Sequence, residues 1–347
     1  MPAAVRLHLQ KAALACILQL GESKGTEGRL KDGAIDRLFI ILSLAAAIMF
    51  SPACLTAKEP EITARSYLLV EKETMAVIAG KNYHEELAPA STTKVMTTVL
   101  ALETLDASTV ITANASVRKI PASKLNLSPG KSYKAEDLIR GTMVESANDA
   151  AYTLGVAIAG SEEGFAAMMN EKAREIGAVN THFRNASGLF VPGHYSTCWD
   201  LALMFRYALQ NEEFREIIAQ KYFLFQGNNQ DIRYANHNRL LFCFEPSVGG
   251  KTGFTRVSKH CYVGAFEKDG RVYILALLGS RDLWGDAVSI LGQLYDRVPT
   301  KTELSLAKAS PVSLSSYKVS AENHKSSAAK KSVKKTKRSK SRTASAR

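Results

Sequence analysis

The order of hydrophobic patterns along the chain predicts an α+β fold, with an antiparallel sheet built from both chain ends and a helical cluster between them. Three observations carry it. Strand-like apolar runs open the body after residue 65, helical stripes fill the middle, and three strand-like runs with a closing helix return before residue 299. With 347 residues, 46% apolar and 22% charged, the chain can bury an ordinary core and is not a disordered polymer.

The first two strands are residues 67–70 and 76–79, separated by Glu71-Lys72-Glu73-Thr74, a hairpin pattern. Residues 91–105 then read as a helix, started behind Pro89 and apolar almost all round, so it is placed in the middle of the domain. Residues 106–135 are rich in Ser, Thr, Asn and Gly and read as surface loops and short strands. An apolar turn at 139–144 precedes a helix over 150–158. Phe165, Met168, Met169, Ala173 and Ile176 form a helical stripe ended by Gly177, and Leu201, Met204, Phe205, Ala208 and Leu209 form another behind Thr197-x-x-Asp200, a capping-box pattern. The returning strands are 247–255, 261–266 and 271–279, with Lys268-Asp269-Gly270 as a turn, and a helix over 286–295 closes the fold.

Both ends differ from this body. Residues 38–50 are apolar except for Ser43, follow Arg29, Lys31 and Arg37, and precede Ser51-Pro52-Ala53-Cys54-Leu55-Thr56-Ala57. That is the layout of an export signal, with cleavage expected after Ala57; the apolar run is shorter than the roughly 20 residues of a membrane span. At the other end, from Lys318 onward, eleven Lys or Arg face the single acid Glu322, leaving only +2 of the net +12 for the rest. A folded nucleic-acid-binding face is thereby excluded. The expected division is leader and signal 1–57, a single folded domain 58–299, and a basic, disordered tail 300–347. Cys198, Cys243 and Cys261 allow one disulfide at most or stay free thiols, and the scattered histidines and cysteines offer no metal-ligand spacing.

Ser91-Thr92-Thr93-Lys94 places a hydroxyl and an amine three residues apart at the start of the buried helix. A serine must lose its proton as it attacks, and a lysine accepts it only where desolvation and nearby positive charge lower its pKa. The same spacing recurs at Ser116, Ser128, Ser305, Ser315, Ser327 and Ser332, so position singles out Ser91, where a buried polar pair would be costly without a task. Ser146-Ala147-Asn148 follows 55 residues later and offers a proton relay and an amide to hold a substrate, or a helix cap. Lys251-Thr252-Gly253 follows 160 residues after Ser91 on an expected strand, with Gly253 leaving room for an extended ligand; a charged edge strand explains it equally well.

Together and in this order, the three elements are the set tabulated for penicillin-binding proteins and class A β-lactamases. The resemblance extends through Pro89-Ala90-Ser91-Thr92-Thr93-Lys94-Val95-Met96-Thr97, Ser146-Ala147-Asn148-Asp149-Ala150-Ala151, Asn180-Thr181-His182-Phe183, Pro192-Gly193-His194-Tyr195-Ser196-Thr197, His237-Asn238-Arg239-Leu240-Leu241 and Gly250-Lys251-Thr252-Gly253-Phe254-Thr255. Over about residues 64–297 the chain resembles the low-molecular-mass penicillin-binding proteins of the D-alanyl-D-alanine carboxypeptidase family. The resemblance implies a β-lactamase/transpeptidase-like fold and a cofactor-free serine peptidase that trims the terminal D-alanine of peptidoglycan stem peptides, inhibited by β-lactam antibiotics. Ser91 is then the nucleophile, Lys94 its base and Ser146 the relay to the leaving amine. Asn148 holds the peptide, Lys251 and Thr252 the terminal carboxylate, and the backbone N–H groups of Ser91 and Phe254 the oxyanion.

Two departures from the family pattern stand out. The lysine-rich tail replaces the further β-rich domain and anchoring helix that many members carry, which leaves D,D-endopeptidase cleavage of cross-links as the alternative. Lys259 stands where relatives commonly have glycine. A class A β-lactamase is the rival enzyme, but the loop over 192–197 lacks the glutamate such an enzyme needs. The expected location is outside the cytoplasm, in the periplasm or cell envelope, with the basic tail available to anionic wall polymers or a membrane surface.

Overall fold

The computed structural model describes residues 61–227 and 230–307. The export signal, Cys54 and the tail from 308 onward lie outside these residues. Among the described residues no helix is long and apolar enough to cross a membrane.

A five-stranded antiparallel sheet organises the body. Its strands are β1 (Ser66–Glu71), β2 (Val77–Lys81), β7 (Ser247–Thr255), β8 (Lys259–Lys268) and β9 (Arg271–Ser280), in the order β2-β1-β9-β8-β7. The first two expected strands form the hairpin, and β1 pairs with β9 of the last three, so early and late segments of the body build one sheet. Alternation sends the side chains of the three central strands, β1, β9 and β8, to two different cores. Leu68, Val70, Cys261, Val263, Ile274, Ala276 and Leu278 enter the large core shared with the helical cluster. Leu69, Tyr262, Phe266, Leu275 and Leu277 enter a smaller core on the opposite face.

The helical cluster surrounds α1 (Lys94–Thr104), which is buried from Lys94 to Ala101. Around it stand α2 (Ala135–Val144), α3 (Asn148–Ala159), α4 (Glu162–Ile176), α5 (Cys198–Ala208) and α6 (Glu212–Ala219). Two small ribbons, β3 (Val110–Thr112) with β4 (Ser132–Lys134) and β5 (Tyr222–Gly227) with β6 (Gln230–Ala235), complete this side. The smaller core is covered by α7 (Leu240–Cys243), α8 (Leu283–Leu291) and α9 (Lys301–Leu306).

Local structure corrects the sequence reading in five places. The expected helix at 91 begins as a 3-10 turn over Ala90–Thr93, and the α-helix starts only at Lys94. The turn expected at 139–144 is the second half of α2, and the ribbon over 222–235 was not foreseen. Thr197 caps α5 by accepting from the Asp200 N–H at 3.0 Å, but the Asp200 carboxylate does not complete a capping box; it accepts from the Asn180 N–H and the Thr181 hydroxyl instead. The boundary expected at 299/300 falls inside packed structure: Thr300 and Glu303 form a capping box, and Leu304 is buried in the smaller core. Cys198, Cys243 and Cys261 are all free thiols.

Candidate active site

A backbone reversal ahead of the central helix presents Ser91. Ala90 has φ +48°, unusual for a residue with a side chain, and the Thr92 hydroxyl donates to the Pro89 carbonyl at 2.7 Å. The facing loop must be glycine at 188: its φ is +80°, and a side-chain carbon there would stand 1.8 Å from the Ala90 carbonyl oxygen. Below the turn, the Arg184 N–H donates to His194 Nδ1 at 3.3 Å, which leaves Nε2 to carry the proton and donate to the Thr93 hydroxyl at 2.9 Å. Burial, chiefly, lowers the His194 pKa to about 4, so the imidazole is neutral at pH 7.

Lys94 is fully buried at the first turn of α1. Its Nζ lies 2.9 Å from Ser91 Oγ, 2.7 Å from Asn148 Oδ1 and 2.7 Å from the Ser187 carbonyl. Desolvation first and the neighbouring Lys251 second hold its pKa well below the ordinary lysine value, against an opposing pull from Asp149. The Asn148 and Ser187 oxygens can only accept. A neutral Lys94 therefore spends its two N–H bonds on them and turns its lone pair to Ser91 Oγ, the one partner able to donate a proton. The contacts hold the amine against Ser91 Oγ in the orientation a general base requires.

Asn148 is oriented from behind by its amide N–H groups, which donate to the carbonyls of Pro121 at 3.1 Å and Ala122 at 2.9 Å. Sequence reasoning gave Asn148 to the substrate; the structure commits its amide to Lys94 and to this loop. The buried Asp149 carboxylate accepts from the backbone N–H groups of Leu125 and Leu127 and so holds the same loop. Ser146 sits between α2 and α3 with φ +64° and 6% exposure, and lines the cleft with Ser91. Such backbone strain in a non-glycine residue persists only where surroundings impose it, and it gathers at functional sites.

The opposite wall is β7, the edge of the sheet. Lys251 is buried there, donates to the Thr252 carbonyl at 3.0 Å, and has its pKa lowered to about 7 by burial, with Glu145 opposing. Gly253 has a different task from the one expected. A side-chain carbon at this position would lie 2.8 Å from the Ser91 nitrogen and 3.0 Å from Ala90 Cβ, so its bareness admits the nucleophile turn. Thr252, Gly253, Phe254 and Thr255 line a cleft of about 480 Å³ together with Ser91, Ser146 and Asn148. Phe254 is 56% exposed and packs against His260, the rings tilted by 39° with centroids 4.6 Å apart.

Arg239, His260 and Trp284 also line this cleft, and sequence reasoning assigned them no role. Arg239 donates to the Leu304 carbonyl of α9 at 3.5 Å, a long contact. His237 stands 3.5 Å from the Glu145 carboxylate.

Residues 53–282 match the family model described as D-alanyl-D-alanine carboxypeptidase. The D-alanyl-D-alanine carboxypeptidase DacF of Bacillus subtilis is 32% identical over 246 residues, which cover 67% of this chain and 63% of that protein. DacB2 of Mycobacterium tuberculosis is 32% identical over 67% of this chain and 82% of its own length. Among solved structures, a D-alanyl-D-alanine carboxypeptidase from Mycobacterium tuberculosis is 30% identical with a TM-score of 0.65, covering 71% of this chain and 96% of that one. A variant of a DD-transpeptidase from Streptomyces is 25% identical with a TM-score of 0.63, covering 67% and 98%.

Proposed function

The chain belongs to the D-alanyl-D-alanine carboxypeptidase family, and from that premise we propose that it removes the terminal D-alanine of peptidoglycan stem peptides through an acyl-enzyme on Ser91. The observation that carries this reading is the Lys94 amine held by two obligate acceptors with its third direction on Ser91 Oγ.

In the proposed reaction Lys94 takes the Ser91 proton as Oγ attacks the carbonyl between the two D-alanines. The oxyanion lies between the backbone N–H groups of Ser91 and Phe254, which the close seat of Gly253 on the Ser91 nitrogen brings together. Ser146 passes the proton to the departing amine. Lys251 is buried beneath the wall, so Thr252 and Arg239 meet the substrate's terminal carboxylate at the cleft surface while Lys251 contributes positive charge from below. Asn148 acts through Lys94, as its positioning residue. Water then releases the shortened peptide. β-Lactams, which present the same carbonyl and carboxylate, acylate the same serine.

The sequence supports export by residues 38–50, and the charge of the tail supports contact with anionic wall polymers or lipid head groups. The catalytic domain extends to residue 307 because α9 packs on it.

Digestion of purified muropeptides by residues 58–307, with products identified by mass, tests the activity. Free D-alanine is expected, together with stoichiometric labelling of Ser91 by a penicillin that Ser91→Ala abolishes. Separated cross-linked dimers without free D-alanine would replace this reading with a D,D-endopeptidase, and rapid penicillin turnover with a β-lactamase.

A further inference from the structure

A second groove of about 800 Å³ opens beside the cleft. Neighbouring positions of two short segments line one and the other. Leu189 and Thr255 line the cleft, while the nearby Phe190, Val257 and Ser258 line the groove.

One end of the sheet forms its rim. Lys81 ends β2, Arg65 precedes β1, Arg281 follows β9 and Lys259 begins β8, and these strands are adjacent in the sheet. The pairs Tyr67 with Lys81, Ser66 with Leu278 and His260 with Ser280 bring all four cations to the same end. Three strand spacings make a row of roughly 14 Å. Arg65 is paired with Glu85, whereas Lys81, Arg281 and Lys259 form no ion pair among the described residues. Glu61 and Glu86 also line the groove, leaving the cations in excess. Phe190 and Val257 add exposed apolar surface, at 48% and 59%. Lys259 holds this place with φ +56°, a backbone conformation that suits glycine or asparagine better than a long cationic side chain.

The direction of the substrate follows from the order of groups along β7, and so rests on the reading proposed above. With the terminal carboxylate at Thr252 and the reacting carbonyl at the Phe254 N–H, the acyl side of the peptide runs on past Thr255. It leaves the cleft where the groove begins. We propose that this groove is an extended subsite for the acyl-side segment of the stem peptide, and that the cationic row, led by Lys259, binds carboxylates on residues upstream of the cleaved bond.

The test uses two peptides of equal length ending in D-alanyl-D-alanine, one with free carboxylates on its upstream residues and one with those carboxylates amidated, both keeping the C-terminal carboxylate. The wild type is expected to favour the free-carboxylate peptide about five-fold in kcat/KM, through KM, the scale of one or two solvent-exposed ion pairs. Lys259→Asn, which tolerates the same backbone conformation without the charge, should shrink this preference, and adding Lys81→Gln should bring it close to unity. Lys259→Arg should retain it. Penicillin labelling of Ser91 in every variant verifies that the fold and nucleophile are intact. Equal kcat/KM on the two peptides in the wild type, or a preference that survives both substitutions, overturns the subsite while leaving the carboxypeptidase standing. Failure to release D-alanine from either peptide overturns the carboxypeptidase reading, and the subsite with it.

Discussion

The two walls of the cleft are built on opposite plans. On the helical wall three groups are tied down by their neighbours: Lys94 has three partners, Asn148 three, and His194 two. On the sheet wall Lys251 makes one backbone contact, Phe254 is mostly exposed, and β7 presents an open strand edge. The difference separates two tasks. A proton transfer requires groups fixed in distance and protonation state before the substrate arrives. Recognition of an extended peptide requires unused hydrogen-bonding groups, which an edge strand supplies.

If the helical wall carries the chemistry, Lys94→Met should produce the largest effect. It should lower acylation of Ser91 by about 10³- to 10⁴-fold, the scale of a lost general base, as measured by the rate of penicillin labelling. A loss of less than ten-fold would move the base elsewhere and break the contrast between the walls.

Gly253→Ala tests the contact between them. Its new carbon would displace the Ser91 backbone, so acylation should fall about 10²-fold with little change in the affinity of the carboxylate end. If KM rose instead with kcat intact, Gly253 would serve the ligand, as the sequence alone had it.

Arg239→Gln sharpens the sheet wall's role. We expect KM for a peptide with a free C-terminal carboxylate to rise about ten-fold or more, and no comparable change for the C-terminally amidated peptide. Equal losses on both would make Arg239 a structural residue.

The buried lysines have a stability signature. Lys251 has a folded pKa near 7, below its unfolded value of 10.5, so above pH 7 the unfolded chain binds more protons than the native one. Its contribution to stability therefore rises with pH between these values. The buried thiols of Cys198 and Cys261, whose pKa values burial raises, work in the opposite direction once unfolded cysteines ionise. The informative quantity is consequently the difference between wild type and Lys251→Met. From pH 7 to 8 the wild type should gain up to about 1 kcal/mol relative to the variant in denaturant unfolding. A zero difference would show that Lys251 is not desolvated.

At the C-terminus a null effect and a real one lie eight residues apart. Removal of residues 308–347 should leave turnover of a soluble peptide and its KM unchanged. Removal from 300 onward should cost about 2 kcal/mol in denaturant unfolding, because Leu304 leaves the smaller core, and should raise KM as Arg239 loses its carbonyl partner.

Local patterns were enough for the body's plan. Alternating strands, stripes at helical spacing and the Gly177 stop depend on residues a few positions apart, and so does the pairing of Ser91 with Lys94. The charge of the chain's end and the export-like run are likewise properties of short windows. Ser146 with Asn148 and Lys251 with Thr252 were readable only as an ordered set, since no spacing of 55 or 160 residues says that two groups touch. Tertiary structure alone decided the rest. It turned the Asn148 amide toward Lys94, filled the space at Gly253 with the Ser91 backbone, brought Arg239 to the cleft under the Leu304 carbonyl, and joined His194 to Thr93 across 101 residues of chain. The physical reason is common to all four. Hydrogen bonds and steric limits act over a few ångströms in space, and only the assembled sheet and the packed helices bring such distant segments within that range.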